Sequence, residues 1–288
     1  MTKALLNDYV EMTKPRIALM VLVTTALAYY LAGGGIGVPW VFAMTLLGTA
    51  MAGGGASVLN QFIERDVDAK MERTKNRPLI RGTISPQAAL NFGVFLTVGG
   101  CLLLAWQVNV LAAFLALQSC FLYVLVYTPM KRLTWWNTTI GAVPGAIPPL
   151  IGWAAATGSL APGAWILFAI LFIWQHPHFF AIAWMFREDY ARGGLRMLPV
   201  VHPAARATVS QMIGHTIVLI PVSLLPTLIG MSGWVYFAGA LILGLGMLAS
   251  GVGFSRHRTN ASARRVLRMS LVYLPVLFLL IVLDSSPI

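Results

Sequence analysis

Residues 60–85 read NQFIERDVDAKMERTKNRPLIRGTIS, and this stretch decides how the rest of the chain is to be read. Glu64, Asp66 and Asp68 stand at its head, six Lys/Arg are spread along it, and no aromatic follows Phe62. Immediately before it runs an apolar segment, residues 40–62, long enough to cross a bilayer as a helix, which takes about 20 residues. Charges of both signs therefore gather at the point where an oily segment ends.

The surroundings are oily throughout. Of 288 residues 58% are hydrophobic and only 10% charged, with a mean hydropathy of +0.78. A soluble domain carries about 25% charged residues, so the composition specifies an integral membrane protein, and apolar runs of about 20 residues make it an all-α one. The formal net charge of +11 could suggest nucleic acid. That partner is excluded, because the basic residues sit in short connectors and no recognisable nucleic-acid module is present. Cys101 and Cys120 each lie inside an apolar segment, without metal spacing or a disulfide framework, and read as small buried apolar residues. The N-terminal MTKALLNDYVEMTKPR is too polar for a cleavable leader and no small-residue cleavage site follows, so the first span is expected to be retained.

Nine spans are predicted, near 17–36, 40–62, 88–107, 109–129, 137–156, 163–185, 210–230, 234–254 and 269–285. They are expected to form a single domain around a central apolar chamber. The connectors at 33–39, 105–110, 156–163 and 229–234 carry no charge. All 20 Lys/Arg fall on the other side: Lys3, Lys14 and Arg16, the 63–86 loop, Lys131 and Arg132, Arg187 to Arg206, and Arg256 to Arg268. The positive-inside rule then places the N-terminus in the cytoplasm and the C-terminus outside. Of nine acids only Asp284 lies on the uncharged side. Asp and Glu contribute little to orientation, so the carboxylates need another explanation. A weak echo links NRPLIRGTISPQAA after the second span with LRMLPVVHPAARAT after the sixth. It suggests two related halves, about 1–136 and 137–288, and sites often lie at such repeat interfaces.

Asn60, Glu64 and Asp68 are spaced i, i+4, i+8, so a helix continuing past the membrane surface aligns them in one row, with Asp66 turned away. An oxygen-only row of this kind suits Mg²⁺, which takes one or two carboxylates and completes its shell with water and substrate phosphate. The neighbouring Arg65, Arg73, Lys75 and Arg77 are placed to meet phosphate oxygens, Arg being favoured for two-pronged contacts. The competing explanation is a solvated loop of ordinary ion pairs. Against it stands Asn60, whose amide lies within an apolar span and must find a partner there.

At this point the pattern N-x3-E-x3-D-x4-RT-x2-RP resembles the first aspartate-rich motif of the UbiA-type intramembrane prenyltransferases. DAKMERTKNRPL resembles that family's haem-farnesylating branch in particular. The resemblance extends over nearly the whole chain, through TKPR before the first span, YTPMKR after the fourth, WQHPHF in the sixth and REDYARGGLRMLPV after it. It implies a Mg²⁺-dependent prenyltransferase that moves a farnesyl group from farnesyl diphosphate to a vinyl of protohaem IX. It further implies a multi-pass protein of a bacterial-type inner membrane with its site rim facing the cytoplasm. Haem-modifying or terminal oxidase assembly proteins are the implied downstream partners. Asn60, Glu64 and Asp68 become the implied metal and catalytic residues, with Asp189 from the second motif region. Glu64 departs from the commoner Asp and reaches one methylene further.

Lys14, Arg65, Arg73, Arg77 and Lys131 are the expected diphosphate contacts. Lys131 leaves the membrane with the fourth span, where a cation would stabilise the departing diphosphate, although topology-setting charge alone would also put a Lys there. Tyr127, one turn earlier, could offer its ring face to an allylic cation or serve as an interfacial anchor. On the acceptor side the resemblance implies Trp174, Gln175, His176 and His178, and the two histidines are functional candidates in their own right as ionisable residues inside a membrane. His176 and His178 are i, i+2 and should point nearly opposite ways, and either could instead satisfy a carbonyl freed by Pro177. The three prolines of AVPGAIPPLIGW are expected to shape a cavity. Two rival readings remain open: transfer to another aromatic or quinone-precursor acceptor, and a haem or lipid transporter.

Overall fold

The computed structural model describes residues 3–285, with Lys3 described by its backbone alone. Among the described residues nine helices are long and apolar enough to span a membrane. They are α1 (Pro15–Gly33), α2 (Pro39–Ile63), α3 (Pro86–Gln107), α4 (Val110–Leu133), α5 (Asn137–Thr157), α6 (Pro162–Met185), α7 (Ala205–Leu228), α8 (Trp234–His257) and α9 (Asn260–Leu283). A short amphipathic helix, Lys3–Met12, precedes them.

Local chemistry explains where the spans start. Pro opens α1, α2, α3 and α6, at the position where a helix has no use for the missing N–H. Ser85 and Asn109 cap α3 and α4 by accepting from Ala88 N and Ala112 N. Thr259 and Ser262 form a capping box at the head of α9. That cap starts α9 at Asn260 rather than near 269, and its first turns carry Arg264, Arg265 and Arg268 exposed above the apolar slab. Similarly, α7 begins at Ala205 rather than near 210. The first residue before α8 is Gly233, which has no side chain with which to cap. Asp284, at the end of α9, supplies the acceptor instead, taking Tyr236 N at 2.7 Å. The one acid on the uncharged side thus serves as a helix cap.

Helices α2 and α3 meet along a glycine seam. Gly48 and Gly55 on α2 face Gly93 and Gly100 on α3, and a Cβ on Gly100 would stand 2.6 Å from both Ala52 N and Gly48 O. Small residues let membrane helices meet backbone to backbone, where packing rather than water drives association. α5 is the most buried span; it lies against α1, α4 and α6, and breaks at Ile147 between the segments Asn137–Ala146 and Pro148–Thr157. Helices α6 to α9 pack in sequence, and α9 closes back on α6. One apolar core runs through both groups.

The charged connectors meet in one layer at the end of the bundle that carries the Lys3–Met12 helix. Arg81 pairs with Asp8 at 2.6 Å, Arg132 with Asp66 at 2.9 Å, and Arg196 N donates to Lys131 O at 2.8 Å. The sequence echo has a local backbone counterpart. α2 and α6 end at Glu64 (φ −92°, ψ 8°) and Phe186 (φ −110°, ψ 19°), each followed by a short helix, Arg65–Asp68 or Arg187–Arg192. One-turn helices Pro78–Arg81 and Leu198–Val201 then precede α3 and α7.

Candidate active site

The row of oxygen groups forms, though not on one continuous helix. α2 stops at Ile63 and Glu64 leaves helical geometry, yet Glu64 N still donates to Asn60 O at 3.0 Å and Asp68 N to Glu64 O at 2.8 Å. The i, i+4, i+8 relation therefore survives the kink. Asn60, Glu64 and Asp68 are only 1%, 5% and 2% exposed. Asp66 is turned outward onto Arg132, as expected.

Three cations close around the row. Lys14 sits in the left-handed region (φ 53°, ψ 63°) where the N-terminal helix meets α1, and its Nζ donates to Asn60 Oδ1 at 3.3 Å. Ordinary residues adopt that backbone at a cost of about 1–2 kcal/mol. Lys131 donates to Glu64 Oε2 at 2.9 Å, and Arg77 pairs with Asp68 Oδ2. Arg73 is exposed, its guanidinium within 5.7 Å of the Tyr190 ring centroid and 5.8 Å of that of Phe186. Arg65 does not join them. As the residue after Glu64 it stands about 100° round the helix from the row, and it lies exposed over the Phe62 ring and donates to Phe62 O. Tyr127 is present, but the Lys131 ammonium stands 4.6 Å from its ring centroid, and the ring lies against Gly141 of α5, where a Cβ would be 2.5 Å from it. In this structure the ring's cationic neighbour is Lys131.

Burial lowers the Lys14 ammonium to a pKa of about 7, helped by Arg77 and Lys131 and opposed by Glu64 and Asp68. Burial likewise pushes the Asp68 carboxyl above its usual range, against the pull of Arg77. Both shifts describe a site with more buried charge than it can solvate. Glu64 Oε1 sharpens the point, being buried without any hydrogen-bond partner. A buried carboxylate oxygen without a partner beside an amide carbonyl and a second carboxylate fits a hard divalent cation. Among the described residues no three His, Cys, Asp or Glu converge as a complete metal cage. The donor set is thus two carboxylates and an amide, the partial set with which Mg²⁺ is usually held while water and phosphate complete its shell.

Asp189 does not enter that set, and here the expectation is corrected. Its oxygens accept from Glu72 N at 2.8 Å, Arg73 N at 3.3 Å and Arg192 Nη2 at 2.6 Å. Burial raises its pKa, but those donors outweigh it and hold the carboxyl below its usual range. Asp189 therefore clamps the backbone of the basic loop that carries Arg73 and Arg77.

The acceptor candidates split between two faces of α6. Trp174 and His178 point to α9: Trp174 Nε1 donates to Ser270 O at 3.0 Å, His178 Nδ1 meets Ser270 Oγ at 2.8 Å, and the two rings stack at 4.9 Å. Gln175 and His176 point elsewhere. Gln175 Nε2 donates to Ala142 O of α5, and His176 bonds Phe172 O and Thr139 Oγ1 while stacking on His215 at 3.9 Å. Both are fully engaged in joining α6 to α5 and α7. Sequence reasoning missed Thr74, whose hydroxyl donates to Asp68 O at 2.8 Å, and Thr128, which accepts from Asn60 Nδ2 at 3.0 Å. Each lies inside a motif already quoted, RT and YTPMKR, and that was the available signal.

Comparison with known proteins places the chain in a family. Residues 21–274 match the UbiA prenyltransferase family, and the chain belongs to that family. Within it, the chain is 47% identical to the protoheme IX farnesyltransferase of Solibacter usitatus, over 97% of this chain and 99% of that one. It is 46% identical to the protoheme IX farnesyltransferase of Salinibacter ruber, over 97% and 99%. Among solved structures, a digeranylgeranylglyceryl phosphate synthase shares the fold with a TM-score of 0.83 at 15% identity, covering 98% of each chain. A UbiA homolog from Archaeoglobus fulgidus bound to GPP and Mg²⁺ shares it with a TM-score of 0.65 at 15% identity, covering 96% of this chain and 99% of that one.

Proposed function

We propose that this chain transfers the farnesyl group of farnesyl diphosphate to a vinyl group of protohaem IX, giving haem O and diphosphate. The observation that carries the reading is the buried Asn60–Glu64–Asp68 row, ringed by Lys14, Arg77 and Lys131 where the apolar helices end. That arrangement matches a donor with an oily tail and a multiply charged head. The names of the relatives support the acceptor, and the Mg²⁺ and GPP in the Archaeoglobus homolog support the metal and the donor class.

Asn60 Oδ1, Glu64 and Asp68 would hold Mg²⁺, which when bound neutralises charge on the leaving diphosphate. Lys131, Arg77 and Lys14 bind the diphosphate oxygens and stabilise the same developing charge. The allylic C–O bond breaks with its electron pair going to diphosphate. The vinyl pair forms the new C–C bond, and the cation left beside the porphyrin takes water, which loses a proton to leave the hydroxyl. Trp174 and His178 offer haem an aromatic wall with few polar groups, as flat ligands generally require. The basic connectors orient this rim toward the cytoplasm in a bacterial inner membrane, and haem-modifying or oxidase-assembly proteins would take up the product. Purified protein supplied with farnesyl diphosphate, haem and Mg²⁺ should release diphosphate and form a haem heavier by one farnesyl and one hydroxyl group. Diphosphate release that ignores Mg²⁺, or a haem of unchanged mass, would refute the reading.

A further inference from the structure

α4 is not α-helical throughout, because residues Leu122–Tyr127 form a π-helical segment. Such segments are rare and cluster at functional positions. In an ordinary helix the hydroxyl of Thr128 would bond back to the carbonyl four residues earlier. Here it donates to Tyr123 O at 2.8 Å, five residues earlier, and Thr128 N–H donates to that same carbonyl. The wider turn thereby fixes the hydroxyl proton on Tyr123 O. Thr128 is 1% exposed, and its Oγ1 is left able only to accept.

What it accepts from is Asn60 Nδ2 at 3.0 Å. The same amide nitrogen donates to Glu64 Oε2 at 2.9 Å. Both N–H groups of the amide are then used, and Oδ1 is turned toward Lys14 and the rim. An asparagine side chain has two faces of nearly equal shape, and only its surroundings decide which one carries the oxygen. We propose that Thr128, set in place by the π-helical turn, is a positioning residue that fixes the Asn60 amide with its carbonyl oxygen presented to the metal and diphosphate. The inference rests on the metal and donor reading above and assigns to this threonine a role in it.

The test uses full-length protein in detergent, Mn²⁺ as a spectroscopic probe followed by electron paramagnetic resonance, and a non-hydrolysable farnesyl diphosphate analogue. Thr128→Val keeps the shape and removes the acceptor, and should raise the Mn²⁺ concentration for half-saturation about five- to tenfold, the effect of losing one supporting hydrogen bond to a ligand. Thr128→Ser keeps the acceptor and should stay within about twofold of wild type, as conservative rescue requires. In an Asn60→Asp background either oxygen can ligate, so adding Thr128→Val should there cost less than about twofold. If the valine variant does not fold, Thr128→Ala carries the same comparison. An unchanged midpoint in Thr128→Val, a serine variant as impaired as valine, or a loss that persists in the Asn60→Asp background would each overturn the proposal. Wild-type protein that takes up no Mn²⁺ with the analogue would overturn the donor reading as well, a result distinct from an unchanged midpoint.

Discussion

The pH dependence of diphosphate binding follows from Lys14. In the empty site its ammonium has a pKa of about 7, well below the ordinary lysine value, because it is buried and faces Arg77 and Lys131. A bound diphosphate brings several negative charges to the same place and raises the pKa back toward the ordinary lysine value. Binding must then take up a proton wherever the empty site has lost it, that is, above pH 7. Linkage gives the magnitude: between pH 6.5 and 8.5 the dissociation constant should rise about 25-fold, approaching tenfold per pH unit at the alkaline end. The empty protein should move oppositely. A folded-state pKa below the unfolded one means that the unfolded chain holds more protons between about 7 and 10.4, so stability rises with pH across that window. Calorimetric titration of the farnesyl diphosphate analogue into metal-free protein, in two buffers of different ionisation enthalpy, counts the proton directly. About 0.9 proton should be taken up per site at pH 8, and Lys14→Met should abolish the uptake. A wild-type profile that is flat, or one that Lys14→Met leaves unaltered, would refute the assignment.

Four further outcomes are expected. Lys131→Met strands the buried Glu64 carboxylate and should lower stability by about 3–5 kcal/mol without Mg²⁺; added Mg²⁺ should restore part of it, and a melting curve indifferent to Mg²⁺ would contradict a metal at Glu64. Asp68→Ala should cut turnover by about 10²–10³-fold or more while the protein stays folded, whereas Glu64→Asp should be milder; near-normal diphosphate release by Asp68→Ala would remove it from the site. Asp284→Ala removes the cap on α8 and should cost about 1 kcal/mol in thermal unfolding with substrate affinities unchanged; a catalytic defect at constant stability would mean that Asp284 acts otherwise. Gly55→Val forces a side chain to within 2.7 Å of Gly93 O and should destabilise by about 3 kcal/mol, and an unaltered melting temperature would mean the seam yields.

Much of this architecture is written in local patterns. The spans are legible because uncharged runs of bilayer length leave little alternative, and their starts because Pro15, Pro39, Pro86 and Pro162 mark first turns. Asn60, Glu64 and Asp68 are legible because a four-residue spacing survives a kink that leaves the hydrogen bonds at 60–64 and 64–68 intact. In any helix the residue after Glu64 stands about 100° round from that row, and Arg65 lies exposed over the Phe62 ring. Asp189 was misplaced because its partners, Glu72 and Arg73, lie more than a hundred positions away in the chain. Helical period separates His176 from His178 correctly, but it cannot say that His215 waits on the neighbouring helix. The π-helical turn leaves no mark in LYVLVY, an apolar string that would serve any helix.

The glycine seam between α2 and α3 has a mechanical consequence for the loop they carry. Residues 64–85 leave α2 and re-enter α3, so both feet of this strap stand on one two-helix beam whose halves touch through backbone atoms. Where Gly55 and Gly100 meet the facing backbone, such a beam has little side-chain layer to compress, and this stiffens the span between the feet. Asp68, Arg73 and Arg77 ride on that strap, while Lys14 and Lys131 approach from α1 and α4, outside the beam. In the proposed site, accommodation of the donor would come from rotation within the strap or from travel of those two opposing lysines, with the beam as the stationary side.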